Sequence, residues 1–473
     1  MTTISRPTGS VWIDLGRKVV TADNLQHEDI ALKRLSVSMQ GADMDSFERS
    51  LSPENLLGGG SPDLEALAKA KVEMRECEIS VGPKTQARMR SLMKTGLTGL
   101  PPFVASAILS SFEGDEGLQI KLSAERAQPR TAQPSLHFEN DRFQAGGIHY
   151  QDFQLENMEL QLPGVGQKMG TILQGLNFEQ KPTTDAVEPL KDQVVGLDDL
   201  KVGLGPQVQG AMKAALGQSF KGMGLPPGLE TLLNSTLSGE HLRLSLSVKQ
   251  GAESPQQTLV MPPEFERGVH LDVDRGRVEM KDVQAGALGV DNLSVVLPKV
   301  RDLVANQMSL DKLFAGEKPE LEGLDEVLPV KADSFKVRIG QATLDGVRER
   351  FLKSDKLKEL KIKPEENGRF SFQGKAKVFW DLDFQGQGQL GSTEDGRLTV
   401  KLDDLRTPGF LGAVANKVKG PVMELLKPNV DGVEVEDTTI TLDPAALLPP
   451  GVKMKLDGVT TENGEIVLTS RQK

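Results

Sequence analysis

The sequence predicts an α+β protein made of elongated, repeated units in which curved antiparallel sheets wrap around amphipathic helices. Three stretches support this prediction, because each alternates apolar and polar residues up to a glycine and then changes to helical spacing. The glycines are Gly82, Gly205 and Gly340, which lie 123 and 135 residues apart. Similar stretches at similar spacings indicate an internal structural repeat.

The helix of each unit is predicted from two positions that share one face. Residues seven and eleven positions after a glycine are four apart, so they lie on the same side of a helix. The residues at these positions are apolar in all three units: Met89 and Met93, Met212 and Leu216, and Val347 and Phe351. Each unit is therefore predicted to contain a strand, a glycine and an amphipathic helix in that order.

The first unit, residues 1–127, begins with alternating strands whose register slips between Leu32 and Leu35, which indicates a β-bulge. After its glycine and first helix, a Gly-Leu-Pro-Pro motif at residues 99–102 begins a second helix, because proline loses no hydrogen bond in the first turn. A strand that alternates apolar and polar residues then closes the unit.

The second unit, residues 128–260, repeats this order, and its Gly-Leu-Pro-Pro motif lies at residues 224–227. The third unit, residues 261–473, begins with a hairpin around Asp274-Arg275-Gly276 and departs from the other units after its helix. A charged stretch leads there into strands over residues 369–403 and then into a last helix. The apolar face of that helix includes Val414, Val418 and Val422.

The composition argues against several classes of function. The chain of 473 residues has a formal net charge of −11, which disfavours binding to nucleic-acid phosphates. The same charge opposes attraction to an anionic membrane surface, so any membrane contact is expected to be transient. The absence of a long apolar stretch and of a leader predicts a soluble, cytoplasmic protein, or export by a route that the sequence does not show.

The sequence contains no recognisable catalytic or metal-binding motif. Cys77 is the single cysteine and matches Leu200 and Phe335 of the other units, which predicts a core residue and not a nucleophile. The five histidines lack the spacing of metal ligands. We therefore expect no enzyme, no catalytic residue, no cofactor and no metal site.

One glycine-rich stretch resembles a nucleotide-binding fingerprint. Residues 386–391, GQGQLG, match G-x-G-x-x-G, but a turn and a strand follow where the fingerprint requires a helix. A glycine-rich hairpin is predicted instead. The alternate carboxylates Asp272/Asp274 and Asp381/Asp383 could hold a cation, but solvated strand faces are the commoner explanation.

Residues 330–470 resemble the LmeA-like phospholipid-binding family, the bacterial relatives of the tubular lipid-binding (TULIP) proteins. The resemblance rests on the strand and helix FKVRIGQATLDGVRERF, on successive hairpins and on a second amphipathic helix. The segment GRVEMKDVQAGALGVDNLSVVLP is also similar to AsmA-like β-groove proteins. The resemblance implies a long helix wrapped by a curved sheet, with lipid acyl chains between them.

The expected function is non-enzymatic binding, or binding and transfer, of a lipid or another apolar ligand in a groove between helix and sheet. The alternative is a structural or assembly protein whose repeats are packed dry and whose outer faces bind a protein partner. Core and groove are both compatible with the apolar pattern. The residues expected to line a groove are Met89, Met93, Met212, Leu216, Val347, Phe351, Val414, Val418 and Val422.

Overall fold

The structure is a computed structural model of the chain. The residues that it describes are 8–50, 66, 70–97, 100–128, 130, 132–163, 195–220, 235–239, 241–251, 266–285, 288–297, 330–345, 356–377, 381–408, 423, 426, 433–444, 452–453 and 455–470. They form mostly antiparallel sheet with a smaller share of helix, which confirms the sheet-rich class. They divide into two compact units, which differ from the three units predicted from the sequence. From here on, the first unit is residues 8–44 and 66–251, the second unit is the remaining described residues, and the sequence-based divisions are called predicted units.

The first unit contains two consecutive antiparallel meanders. The strands of the first meander are β1 (Thr8–Asp14), β2 (Val19–His27), β3 (Ile30–Gln40), β4 (Lys71–Val81) and β5 (Leu118–Glu125). The strands of the second are β6 (Ser135–Glu139), β7 (Arg142–Tyr150), β8 (Phe153–Gln161), β9 (Gly196–Leu204) and β10 (Leu242–Gln250). Within each meander, every strand pairs with the next one along the chain.

The two meanders join through their last strands. Strand β5 pairs antiparallel with β10, and Leu122 lies opposite Leu246 at the middle of this pairing. The strand order of the unit is therefore β1-β2-β3-β4-β5-β10-β9-β8-β7-β6. The joining places two strands side by side that are more than a hundred residues apart in sequence.

Four helices with full bounds are described, and three of them belong to the first unit. They are α1 (Met44–Ser50), α2 (Pro83–Gly96), α3 (Pro102–Ser111) and α4 (Pro206–Phe220). Helix α2 contacts both α3 and α4, while α3 packs on β9 and β10. The resulting core includes Val104 and Phe112 with strand residues such as Leu118, Phe153 and Leu204, all almost fully buried.

The first sheet of the second unit continues the antiparallel pattern. Its strands are β11 (Gly268–Asp272), β12 (Arg277–Ala285), β13 (Leu288–Val296), β14 (Val330–Ile339), β21 (Val452–Lys453), β22 (Gly458–Glu462) and β23 (Glu465–Ser470). Their main order in the sheet is β11-β12-β13-β14-β23-β22, and β21 pairs in parallel with β14. The turn between β11 and β12 confirms the hairpin predicted around residues 274–276.

A second antiparallel sheet lies between β14 and β21 in sequence. Its strands are β15 (Leu357–Pro364), β16 (Arg369–Lys377), β17 (Asp381–Ser392), β18 (Leu398–Arg406), β19 (Glu434–Glu436) and β20 (Thr439–Leu442). Their order in the sheet is β15-β16-β17-β18-β20-β19. One face packs in a core with Met423 and Leu426, and the other face carries mostly charged and amide side chains.

The sequence interpretation missed β15 and β22. Strand β15 lies in the charged stretch that leads into the strands predicted over residues 369–403. Leu360 and Ile362 alternate there with lysines, and both pack into the core of the second sheet. The high charge obscured this strand, because one of its faces is solvated. Such a strand is identified in a sequence by its alternation of apolar and charged residues.

The glycine-rich stretch at 386–391 lies inside strand β17, which confirms the predicted hairpin. Phe370 pairs with Gly388 and Phe372 pairs with Gly386 across β16 and β17. A Cβ atom at either glycine would lie 2.5 Å from the Cζ atom of its opposite phenylalanine. The glycines therefore make room for buried aromatic rings, and the stretch does not open a helix.

Left-handed backbone conformations recur at the spacing of the predicted units. Lys18, Asp141 and Gly276 have φ angles of 57°, 59° and 59°, and they are 123 and 135 residues apart. Asn24, Gly147 and Asp282 have φ angles of 52°, 67° and 46° at the same two spacings. Non-glycine residues seldom adopt left-handed φ angles, so chance is a poor explanation for their recurrence at these two spacings.

The register slip predicted between Leu32 and Leu35 is confirmed, since the β3–β4 pairing shifts between Leu32 and Arg34. The helix at Gly-Leu-Pro-Pro 99–102 is confirmed as α3. The 224–227 motif and most of the last predicted helix lie outside the described residues. The division into units 1–127, 128–260 and 261–473 stays a prediction.

Candidate functional site

Helix α2 is fixed at its start by an aspartate from a distant hairpin. Asp29 lies in the turn between β2 and β3, and its carbonyl oxygen accepts a hydrogen bond of 2.6 Å from the Gly82 N–H. Its carboxylate accepts hydrogen bonds from the Thr85 backbone N–H at 2.9 Å and from the Thr85 hydroxyl. The carboxylate thus satisfies a donor that the first turn of a helix leaves unpaired.

Helix α4 begins in the same way. Asp152 lies in the turn between β7 and β8, and its carbonyl oxygen accepts a 2.6 Å hydrogen bond from the Gly205 N–H. Its Oδ2 atom accepts hydrogen bonds from the N–H groups of Gln207 and Val208 at 2.5 and 3.2 Å. A Cβ atom at Gly205 would lie 2.5 Å from the Asp152 Cβ atom, so glycine is required for this approach.

The capped helices place three of the predicted lining residues together. Met89 and Met93 of α2 are partly buried and pack against the core that contains Met212 of α4. Met212 is 9% exposed and so belongs to the core proper. Leu216 lies in α4, but its side chain is outside the described part of the structure. The other five predicted residues lie outside the described residues: Val347, Phe351, Val414, Val418 and Val422.

The junction of the two meanders contains adjoining apolar residues that are only partly buried, and sequence reasoning missed them. Leu242, Leu244, Leu246 and Val248 alternate along β10 and so share one face of the sheet. The outer two are fully buried, but Leu244 and Leu246 are only partly buried. Leu122, opposite Leu246, is also only partly buried.

We call the partly buried residues Ile79, Leu122, Leu244 and Leu246 the central strip. Ile79 belongs to it because it lies opposite Ile120, two residues before Leu122 on the same face of β5. Ile79, Leu244 and Leu246 pack against the same core as Met89 and Met93. The alternation of β5 and β10 was visible in the sequence, but the pairing that brings these strands together was not.

Three titratable groups among the described residues have pKa shifts with a structural cause. Burial raises the pKa of the Cys77 thiol to about 11, so the thiolate nucleophile is scarce near neutral pH. Burial also raises the pKa of Glu48, whose carboxylate contacts Arg267. Hydrogen bonds from Arg338 and Lys336 outweigh burial and lower the pKa of Asp291. No nucleophile among these groups has an adjacent base.

Metal-binding side chains are also scattered in the described part of the chain. No cluster of three or more His, Cys, Asp or Glu residues suited to a metal ion occurs there. Asp381 and Asp383, one of the alternate pairs in the sequence, form ion pairs with Lys358 and Lys375. His137 and His270 each lie beside a glutamate.

Comparison of the chain with models of known protein families, with curated proteins and with solved structures gives no match. Among the helices whose residues are described, none is long and apolar enough to cross a membrane.

Proposed function

We propose that the protein binds a lipid acyl chain or a similar apolar ligand without catalysing a reaction, and that the central strip is part of the binding surface. The observation that supports this most is the partial burial of Leu122, Leu244 and Leu246 on a sheet face whose ends are fully covered. Contiguous exposed apolar surface marks sites where another apolar group packs, and we infer that these adjoining side chains contribute to such a surface.

The proposed ligand is an alkyl chain because the surroundings are apolar and adaptable. Met89 and Met93 of α2 are unbranched and flexible, so they can pack against ligands of irregular shape. Each methylene moved from water onto such a surface contributes about 0.8 kcal/mol. If the protein also transfers lipid between compartments, the lipid would only have to be released again from the central strip.

We further propose that the three predicted units are related and that each wraps a sheet around its helix. The recurrence of left-handed residues at spacings of 123 and 135 supports this, as do the two aspartate-capped glycines. The pairings β4–β5, β9–β10 and β14–β23 give each unit a closing strand beside the strand that precedes its glycine.

Mass spectrometry tests the proposal directly. Native mass spectra of the full chain should show adducts with the masses of lipids, and solvent extraction should release them. Leu246→Ser should remove the adducts with little change in thermal stability, whereas Ser247→Asn, on the opposite face of β10, should leave both unchanged. Repeated recovery of no lipid would contradict the proposal.

A matched pair of changes separates a binding surface from a dry core. Leu242 is 1% exposed, so Leu242→Ser should lower the melting temperature clearly. Met212→Asp should also unfold the first unit, because an unpaired buried charge costs about 3–5 kcal/mol. If Leu246→Ser destabilises the chain as strongly as Leu242→Ser, the strip is packed dry and the alternative of an assembly protein with a protein partner is favoured.

A further inference from the structure

The second unit contains a polar groove that the proposed lipid site does not use. It lies between the solvated face of the second sheet and the start of the helix that follows Gly340, and its volume is about 760 Å³. Gln341 and Asp345 line the helix side. Ile362, Phe372 and Gly386 also line the groove, so its polar side chains lie beside apolar surface.

The floor of the groove consists of two rows of side chains in register across β15, β16, β17 and β18. The first row is Lys361, Gln373, Gln385 and Arg406. The second row is Lys363, Ser371, Gln387 and Asp404. Neighbouring strands are about 4.8 Å apart, so each row presents polar groups at a regular spacing.

Most charges in the groove are already compensated. Arg406 forms an ion pair of 2.6 Å with Asp404, and Lys361 forms one of 3.0 Å with Glu359 outside the groove. The Asp345 carboxylate accepts a 3.3 Å hydrogen bond from Gln341. Of the lining cations that the structure describes, Lys363 has no carboxylate within ion-pair distance.

The amides on the floor have hydrogen-bonding groups to spare. The side chains of Gln373, Gln385 and Gln387 make no hydrogen bond to other described residues. Each glutamine side chain can donate hydrogen bonds from its NH₂ group and accept them at its carbonyl oxygen. This combination matches hydroxyl groups, which also donate and accept, while the free ammonium of Lys363 matches one negative charge.

We propose that this groove binds a small sugar that carries one anionic group, with its hydroxyls on the glutamine amides and its charge on Lys363. The volume is in the range of small-molecule sites, which usually enclose about 300–1,000 Å³. The anionic group is a carboxylate in a uronic acid or a phosphate in a sugar phosphate. Either source satisfies the same side chains.

Calorimetric titration of the full chain distinguishes the sources. The probes are glucuronate, glucose 6-phosphate, neutral cellobiose and inorganic phosphate. We expect saturable binding of at least one anionic sugar, weaker binding of cellobiose and weaker binding of phosphate alone. The tighter of the two anionic sugars identifies the source of the charge. No saturable binding of either anionic sugar would overturn the proposal, and phosphate binding as tight as glucose 6-phosphate would overturn its sugar component.

Matched variants test the assigned residues. Lys363→Gln should weaken binding of the anionic sugar about tenfold, the usual scale of a charge-assisted hydrogen bond. Lys375→Gln is the control, because Lys375 lies on the same face but pairs with Asp383 at 3.5 Å. Equal weakening by both variants would overturn the role of Lys363.

The amides have their own pair of variants. Gln385→Ala combined with Gln387→Ala should weaken binding of charged and neutral sugars alike, while Gln389→Ala, further along β17 and outside the groove, should not. Unchanged binding in the double variant would overturn the assignment of the amides. Leu246→Ser in the first unit should leave sugar binding intact, so failure of the lipid proposal and failure of this one are distinguishable.

Discussion

The helices that follow Gly82 and Gly205 are each capped by an aspartate 53 residues earlier, whereas the residue 53 positions before Gly340 is Ala287. In the first two cases, the described residues between the glycine and the closing strand of the predicted unit contain no sheet. In the third, the six-stranded second sheet intervenes before β23 pairs with β14. The capping aspartate thus occurs in the two shorter predicted units, and the position at the matching spacing is alanine in the predicted unit that contains the second sheet.

The largest effect that tests this comparison is expected at Gly205. Gly205→Ala would bring a Cβ atom to 2.5 Å from the Asp152 Cβ atom and displace the cap, which should cost about 1–3 kcal/mol of unfolding free energy. Gly210→Ala in the same helix is the control, because its Cβ atom would meet no atom within 4 Å. The control should stabilise by about 0.5–1 kcal/mol.

Urea unfolding of the full chain, followed by circular dichroism, measures both changes. If Gly205→Ala is as harmless as Gly210→Ala, the close approach of Asp152 is not needed for the junction. Gly82→Ala, where the corresponding distance to the Asp29 Cβ atom is 2.7 Å, should behave like Gly205→Ala.

A smaller loss is expected when the caps themselves are removed. Asp29→Ala and Asp152→Ala should each destabilise the first unit by about 1–2 kcal/mol, because each leaves helix N–H groups without an acceptor. Asp29→Asn and Asp152→Asn keep an oxygen acceptor and should lose less. Equal losses for alanine and asparagine in urea unfolding would show that hydrogen bonding by the side chain is not the cause.

The last effect is absent at neutral pH and concerns the thiol in the strand before Gly82. Because burial raises the pKa of Cys77 to about 11, the folded chain keeps a proton that the unfolded chain loses at lower pH. Stability should therefore fall as pH rises from the ordinary thiol pKa towards about 11. The difference in unfolding free energy between wild type and Cys77→Ala should change over this interval.

Alkylation offers a second measurement of the same thiol. Cys77 is 5% exposed, so iodoacetamide should modify the native chain slowly at neutral pH and the urea-unfolded chain quickly. Mass spectrometry measures both rates. Rapid modification of the folded chain would contradict the assignment of Cys77 to the core, where Leu200 lies in the matching strand.

Local patterns in the sequence were sufficient for many elements. Alternation identified the strand before each glycine, and the bulge near Leu32 followed from one slip of phase. Helical spacing placed Met89, Met93 and Met212 on the core side of α2 and α4. Period-two and period-3.6 patterns report which face is buried, so they predict faces well.

The candidate binding surface was less accessible to sequence reasoning. The central strip depends on the pairing of Leu122 with Leu246, and pairing between distant strands leaves no local pattern. The capping role of Asp29 and Asp152 was also missed. The shared distance of 53 residues to the next unit-defining glycine was available as a signal, but an isolated aspartate in a turn usually serves the turn itself.

The sequence by itself determined that the chain is rich in antiparallel strands, that glycines end three of these strands and that the first two of those glycines lead into helices with an apolar face. Each of these features depends on neighbours a few residues apart. Only the tertiary structure decided that β5 meets β10 and that β23 meets β14 across an inserted sheet. Those pairings bring together residues more than a hundred positions apart, and the burial of both partners, not any local propensity, selects them.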